Sequence, residues 1–566
     1  MNAADRTLAS TSPDADKSPA ATLSLWHRVD RALDRGSEWL NPILVKEARQ
    51  ALKSRQFLVT FSLLLACGWL WSVFGVVLQW PDIQISPSGR YMLVGYYIVL
   101  ALPLLVVVPF SAFRSLSGER EDGTYELLSI TALNARQIVT GKLGSSTLQM
   151  IVYFSALSPC MAFTYLLRGI DVLTILLVLG HTFLISLMLS QIGLLLATFS
   201  REAHMQVLLS VLFVVALVLG AVLVVVTVSS FLVEVGQVPA TEPHFWSAHL
   251  CYLSVYISYL LLFLWASAAQ LSFASENRST RLRYALLAQQ ALLLGWAIYY
   301  WVTTDAVEFL YTLAAAMAVQ WYLVGTLLTC EIAELSPRVR RRLPQTFLGR
   351  MFLTWFNPGS GTGYLFVVLS LLALAVVLVE EVFLANVNAF PGVSPITGGL
   401  VWFLLLAWAY VAAYLGVGRL VILALRRVTR VGLVGGTAVH LGLAAFGVAA
   451  PYCVHLLMLP HVPNQYSATQ LTNWLWTMNE ALHDRIGNHP AVSISLMCIA
   501  VLLVLANLLT STHEIRQVRS TTPRRVTQDE RAIHPPKPAP APAPVDPWET
   551  DAAADAAADA NPGSGS

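Results

Sequence analysis

Charge is scarce in this sequence. Only 12% of its 566 residues are Asp, Glu, Lys or Arg, where soluble domains average roughly 25%. The apolar excess, 56% of the chain with a mean hydropathy of +0.63, excludes an ordinary water-soluble globule. Cysteine is thin as well: six residues, none in a CxxC pair, so neither a disulfide framework nor a zinc ribbon is encoded. Catalytic and nucleotide signatures are missing. There is no GxSxG, no HExxH, and no Gly-Lys-Ser/Thr after the glycine-rich FNPGSGTGY at 356–364, hence no nucleophile elbow, metalloprotease helix or P-loop. That stretch reads instead as a flexible lead-in to a helix. A net charge of +2 supplies no basic footprint for nucleic acid. No catalytic residue, cofactor or metal is expected; Cys453, His455 and His461 match no standard ligand spacing.

What the chain does contain is a series of apolar blocks, most of them near the ~20 residues that cross a hydrocarbon core of about 30 Å. Twelve can be drawn, near 57–79, 91–113, 143–167, 172–199, 203–233, 250–273, 284–302, 309–329, 364–384, 400–424, 433–459 and 491–511. Lipid offers backbone groups no partner, so helices are expected. The alternation of a β-barrel strand is absent from these runs. The expected fold class is therefore all-α: a polytopic bundle of about 12 spans with both termini cytosolic. Basic residues set that orientation. With both ends inside, all of the 35 Lys and Arg fall in cytosolic segments except Arg90, Arg168, Arg485 and Arg419. Arg419 stands inside a span, where it is expected to snorkel to the interface. No buried Asp, Glu or Lys is expected in the spans, which argues against an ion-driven carrier. Four histidines in or near spans, His181, His204, His440 and His455, read as hydrogen-bonding packing residues.

The remaining segments sort by composition. Residues 1–24 read as a disordered head and 25–56 as an amphipathic interfacial helix, with Trp26, Val29, Leu33 and Leu40 on its apolar face. The Pro/Ala-rich 513–566 reads as a disordered cytosolic tail. Between the last two spans, Ser467 and Gln470 fit a capping box, and Leu471, Leu475, Met478 and Leu482 recur at helical spacing. A helix over 467–487 is expected on the outer surface.

One passage breaks the apolar pattern: SGEREDGTYELLSITALNARQIVTGK at 117–142. Glu119, Glu121, Asp122 and Glu126 cluster at the front of an expected short helix, where acids complement the N-terminal dipole. Gly123, which costs about 1 kcal/mol in a helix interior, is expected to break it. Asn134 is expected to cap the rod that continues into the third span. Two uses are open: a solvated connector, or an element pushed from below that transmits movement. Topology alone does not call for four acids.

These residues resemble the loop between the second and third spans of ABC type-2 exporter permeases, a pattern of E-R-E-x-G-T-x-E-x-L followed by I-x-x-G-K. It is met by Glu119, Arg120, Glu121, Gly123, Thr124, Glu126, Leu128, Ile138, Gly141 and Lys142. The run NPILVKEARQALKSRQF at 41–57 is similar to the start of that family through Asn41, Pro42, Lys46, Glu47 and Arg55. The resemblance implies six helices per half-transporter and an interfacial N-terminal helix. It also implies a cytosolic loop that docks on a separate ATP-binding cassette subunit, whose closure drives substrate movement, usually outward. The implied setting is a bacterial-type plasma (inner) membrane. Residues 119–133 would be the coupling element within loop 114–142, braced by the interfacial helix.

The resemblance covers a six-span domain, 57–273, and the segment before it. The second six-span domain, 274–512, carries no ERExGT copy. It leaves open whether the chain completes a pore alone, as a homodimer or with a second permease; membrane lipids surround it in every case. The competing reading is a non-transporting scaffold that relays ATPase movement to an outer-face partner.

Overall fold

The computed structural model describes residues 41–81, 83, 85–123, 134–199, 202–273, 276–331, 346, 354–388, 398–429, 431–458, 466–515 and 524–533. All the regular structure among them is helical. A first helix, α1 (Pro42–Leu52), is followed by α2 (Arg55–Leu78), α3 (Gly89–Glu121), α4 (Ala135–Leu166), α5 (Val172–Ala197), α6 (Ala203–Glu234) and α7 (Pro243–Leu271). Then come α8 (Thr280–Thr304), α9 (Glu308–Leu328), α10 (Ser360–Asn388), α11 (Gly398–Leu425), α12 (Leu433–Met458), α13 (Trp474–Leu482), α14 (Pro490–Ile515) and α15 (Arg524–Ile533). Twelve of these are long and apolar enough to cross a membrane: α2 to α12 and α14. The chain is an all-α, multi-pass membrane protein. Each expected apolar block became one helix, and an even number of crossings returns the chain to its starting side. That side, which carries α1, is termed the base.

Burial separates central from peripheral helices. The most apolar windows of α3, α10 and α11 are 61–67% buried, against 17% for α2, α6 and α12. The first group forms two centres; the second turns apolar side chains such as Val207, Leu219 and Leu223 outward, as lipid contact requires. One core gathers Met92, Tyr96, Leu100 and Tyr153 around α3 and α4. Another gathers Trp321, Tyr364, Leu378 and Leu406 around α9 to α11. Between them runs an amide ladder: Tyr259 donates to Gln320 Oε1 (2.6 Å), Gln320 to Gln289 Oε1 (2.9 Å), and Gln289 to Ser258 Oγ (3.2 Å). Buried amides with no water must find each other, so this ladder ties α7 to α8 and α9.

Inside α3 the helix loosens into one π turn, Pro103–Val107. Pro103 cannot donate to the turn before it, and a wider turn accommodates the missing bond. Ser186 of α5 donates to the Leu104 carbonyl (2.5 Å), satisfying an acceptor there.

Several expectations change. Arg419 does not snorkel: it is 1% exposed, with Nη1 donating to Asn507 Oδ1 (2.9 Å) and Thr510 Oγ1 (2.8 Å) of α14 and Nε to Ser360 Oγ (3.3 Å). Its helix is central, so the side chain meets polar groups of neighbouring helices before it can reach an interface. The segment 356–364 is pinned rather than flexible. Thr280 donates to the Phe356 carbonyl, Thr362 to the Asn357 carbonyl (2.8 Å), and Tyr284 stacks on Phe356 at 4.3 Å.

On the far side the helix over 467–487 divides into a 3-10 turn, Ala468–Gln470, and α13. Asn473, not Ser467, caps α13, accepting from Trp476 N (3.1 Å). Gln470 is buried, its Oε1 accepting from Asn473 Nδ2 (2.8 Å) and its Nε2 donating to the Pro451 carbonyl (3.0 Å), so its oxygen does not close a capping box. Leu475 and Leu482 are exposed, while Leu471 and Met478 pack on the core. Helix α15 forms within the tail expected to lack structure; its described side chains are exposed, so it adds no core.

His440 and His455 behave as packing residues. His440 is buried with Nε2 2.8 Å from Thr329 Oγ1, and His455 lies 3.2 Å from Ser467 Oγ against the edge of Trp476. Cys453 beside it is exposed, His461 lies outside the described residues, and no group of three potential metal ligands occurs among the described residues.

Just past α9, burial pushes the Cys330 thiol up to about 11, only partly countered by Arg426. Thiolate, not thiol, reacts with maleimides. Cys330 is therefore expected to stay unlabelled in the folded protein at pH 7 and 8, and to label after denaturation. Rapid labelling of native protein, mapped to this peptide, would show that the site is open.

Candidate functional site

The two segments that carry the family resemblance, 41–57 and 117–142, are distant in sequence, and α1, the end of α3 and the start of α4 bring them together at the base. Asn41 caps α1, its Oδ1 accepting from Ile43 N (3.1 Å), and Pro42 takes the first helical position, where no donor is needed. The same Asn41 amide donates to the Gln137 carbonyl of α4. Helix α1 lies close on α4 because two positions there lack side chains. A Cβ at Gly141 would stand 2.9 Å from Ile43 Cβ, and one at Gly144 would stand 2.9 Å from Leu44 Cδ1. Ile43 and Ile138, 6% and 2% exposed, close the seam.

Above that seam lies an ionic node. Lys142 is about two helical turns inside α4 and only 2% exposed. Its ammonium contacts Glu47 Oε1 of α1 (3.1 Å), Glu119 Oε2 of α3 (3.0 Å) and the Ser115 carbonyl (3.1 Å). Two of its donors make hydrogen bonds, to Glu47 and to the Ser115 carbonyl, and Glu119 is held as an ion pair. The second ammonium, Lys46 Nζ, stands 3.8 Å from Glu119 Oε1 and is largely solvated, so it adds little. Arg120 reaches the other way, Nη1 donating to the Ala197 carbonyl at the end of α5 (3.0 Å). Four helices therefore meet at the base through Glu47, Glu119, Arg120 and Lys142.

This geometry revises two expectations. Lys142, expected in the cytosolic passage one residue before the third apolar block, is buried in the helix that forms that span. Its position was legible: Lys142 shares a face with Ile138, Ser145 and Gln149, all of them buried. The acids Glu119 and Glu121 do not begin a helix; they end α3, which runs unbroken from the membrane. A carboxylate at a helix C-terminus is disfavoured by the dipole, and the Lys142 and Lys46 ammonium groups offset that for Glu119.

The expected break holds. Helix α3 stops at Glu121, and Gly123 takes φ +69°, the left-handed region where glycine alone is free of strain. Asn134 caps α4 as expected, its backbone N–H donating to Gln137 Oε1 (2.9 Å).

The remaining site residues divide. Glu121 is exposed beyond the node. Arg55 opens α2 and is exposed, outside the cluster. Thr124, Glu126 and Leu128 lie outside the described residues, as does the 25–40 part of the interfacial helix. The short stretch Lys53–Ser54 separates that helix from the first span; Ser54 Oγ accepts from Phe57 N (3.1 Å).

Known proteins add nothing to this geometry. No protein family, curated protein or solved structure matches the chain. The functional reading rests on the motif and on the arrangement of these helices.

The sequence pointed to none of the pairings of a second base cluster. Arg283, fully buried, pairs with Glu331 Oε2 (2.8 Å) and donates to the Trp355 carbonyl. Glu331 also accepts from Ser279 Oγ (2.9 Å) and Gly359 N (3.2 Å). Its sequence signal was an arginine at the start of one span and a glutamate at the end of the next, a pairing that only the fold reveals.

Proposed function

We propose that this chain is the membrane-spanning permease subunit of an ATP-driven exporter of the ABC type-2 kind. A separate ATP-binding cassette subunit would grip the acidic passage after α3, and α3 and α4 would carry its movement into the membrane. The observation that supports this most is the node: Lys142 joins the interfacial helix, the end of α3 and the start of α4 through one buried ammonium. A push on residues 119–133 would reach three helices as one rigid unit, because the seam at Gly141 leaves no slack for sliding. The expected setting is a bacterial-type plasma membrane with the base in the cytosol, as the basic residues favour.

The competing scaffold reading uses the same node without a substrate path. Co-purification separates both from a plain connector. Glu121→Arg together with Glu126→Arg reverses the charge of the passage while leaving the node intact. The expected result is roughly a hundredfold or greater loss of ATPase-subunit binding, the scale of two charge-assisted contacts at about 1.5 kcal/mol or more each. Undiminished binding would refute the docking assignment. Binding lost without any effect on uphill export in vesicles would favour the scaffold.

A further inference from the structure

A polar cavity of about 280 Å³ opens beside the node, between α1, the first turn of α2, α3 and α4. Along α4 its lining runs from Lys142 to Tyr153, about 16 Å at 1.5 Å per residue. The two ends differ in chemistry. Arg114 and Ser145 lie toward the base and Gln149 in the middle, while Phe57, Val107 and Tyr153 close the deeper end.

Three polar side chains of this lining, Gln149, Ser145 and Arg114, hold donors without partners among the described residues, while Ser54, Ser111 and Ser146 donate to carbonyls of their own helices or turns. Gln149 is 8% exposed; its carbonyl is approached by Ser111 Oγ at 3.5 Å, and its amide N–H group makes no hydrogen bond to a described residue. Ser145, 4% exposed, likewise makes none. Arg114 is exposed on the rim and forms no ion pair among the described residues. The carboxylate on the wall, Glu47, is paired with the Lys142 ammonium, which it shares with Glu119. Buried donors of this kind are rarely left idle, and their convergence with a free guanidinium selects an anion with several acceptor oxygens.

We propose that this cavity binds the phosphodiester headgroup of an anionic glycerophospholipid. Arg114 takes the phosphate charge, Ser145 and Gln149 donate to its oxygens, and the glycerol end lies toward Phe57 and Val107. An apolar floor distinguishes this site from one built for free phosphate. The bound lipid would hold α1 against α3 and α4 and so stiffen the base. The inference stands apart from the transporter reading, since it depends only on the cavity.

The test uses the full chain, purified in detergent, with lipid binding followed by native mass spectrometry. Phosphatidylglycerol is the probe, and inorganic phosphate is measured separately by calorimetry. Wild type is expected to retain one phosphatidylglycerol in a saturable manner. Arg114→Ala, an exposed position that carries no packing, should weaken it about tenfold, the scale of one lost charge-assisted bond. Gln149→Leu and Ser145→Ala should each weaken it a few-fold, while Arg427→Ala, exposed and remote from the cavity, should change nothing. The proposal falls if wild type retains no discrete lipid, the result for a cavity that holds only water. It also falls if Arg114→Ala binds as wild type, if Arg427→Ala loses as much, or if inorganic phosphate binds as tightly as the lipid.

Discussion

Replacing Lys142 with methionine should destabilise the protein by about 3–5 kcal/mol, the usual result of removing one partner from a buried ion pair. The lysine side chain is 1% exposed and its two carboxylates are 12% and 16% exposed, so water replaces little of what the ammonium supplies. Without it, the Glu47 and Glu119 carboxylates face each other with only the solvated Lys46 nearby, and the Ser115 carbonyl loses its donor.

Thermal unfolding in detergent is the measurement, and a fall of several degrees in Tm is expected. A second variant tests the cause. Exchanging the whole triad for apolar residues, Lys142→Met with Glu47→Leu and Glu119→Met, should recover most of the loss, because no uncompensated charge is left behind. Should the triple variant be less stable than Lys142→Met, the penalty would not be electrostatic, and the node would have to be redrawn as a packing element.

The second large effect is expected at Arg283. Its guanidinium is fully buried, holds Glu331 at 2.8 Å, ties down the Trp355 carbonyl and lies 5.5 Å over the Phe366 ring. Arg283→Met would leave Glu331, which organises Ser279 and Gly359, without its counter-charge. A loss of about 3–5 kcal/mol is expected here as well.

Lysine at this position is the informative comparison. It keeps the charge but has neither the planar fork nor the stacking surface, so Arg283→Lys should fall between wild type and methionine. Equal stability of lysine and arginine variants, followed by tryptophan fluorescence during heating, would show that the fork geometry contributes nothing. Both predictions concern the base, where each bundle gathers helices around a buried cation.

The two clusters differ in how much of them could be read beforehand. Glu47, Glu119, Gly141 and Lys142 were all picked out from two motif segments, although nothing in either segment said that one buried ammonium joins them. Arg283 and Glu331 were passed over because each looked like an ordinary charge at a span end. Arg419 was misjudged for a related reason. A charge one and a half turns into an apolar helix reaches solvent if the helix is peripheral, and polar neighbours if it is central. Sequence shows depth along the helix but not rank within the bundle.

Helix existence was settled locally. Apolar runs of the right length have to become helices in lipid, since no other open arrangement satisfies their backbone groups, and all twelve did. The Gly123 break and the Asn134 cap were equally local, because each depends on one residue's own backbone or side chain. The capping box at Ser467 failed because the Gln470 oxygen accepts from Asn473 while its N–H reaches the Pro451 carbonyl, one helix away. The acids near 120 were assigned to the wrong helix end, since their spacing is the same whether a helix starts or stops there.

Composition and periodicity alone thus determined a twelve-helix membrane protein with a charged passage between its second and third spans. Only the tertiary structure decided which charges are buried, which helices are central, and that α1 closes onto α4 over a polar cavity. The reason is range. Backbone satisfaction in lipid is a property of each segment by itself, whereas the burial of a charge depends on partners that the chain supplies from elsewhere.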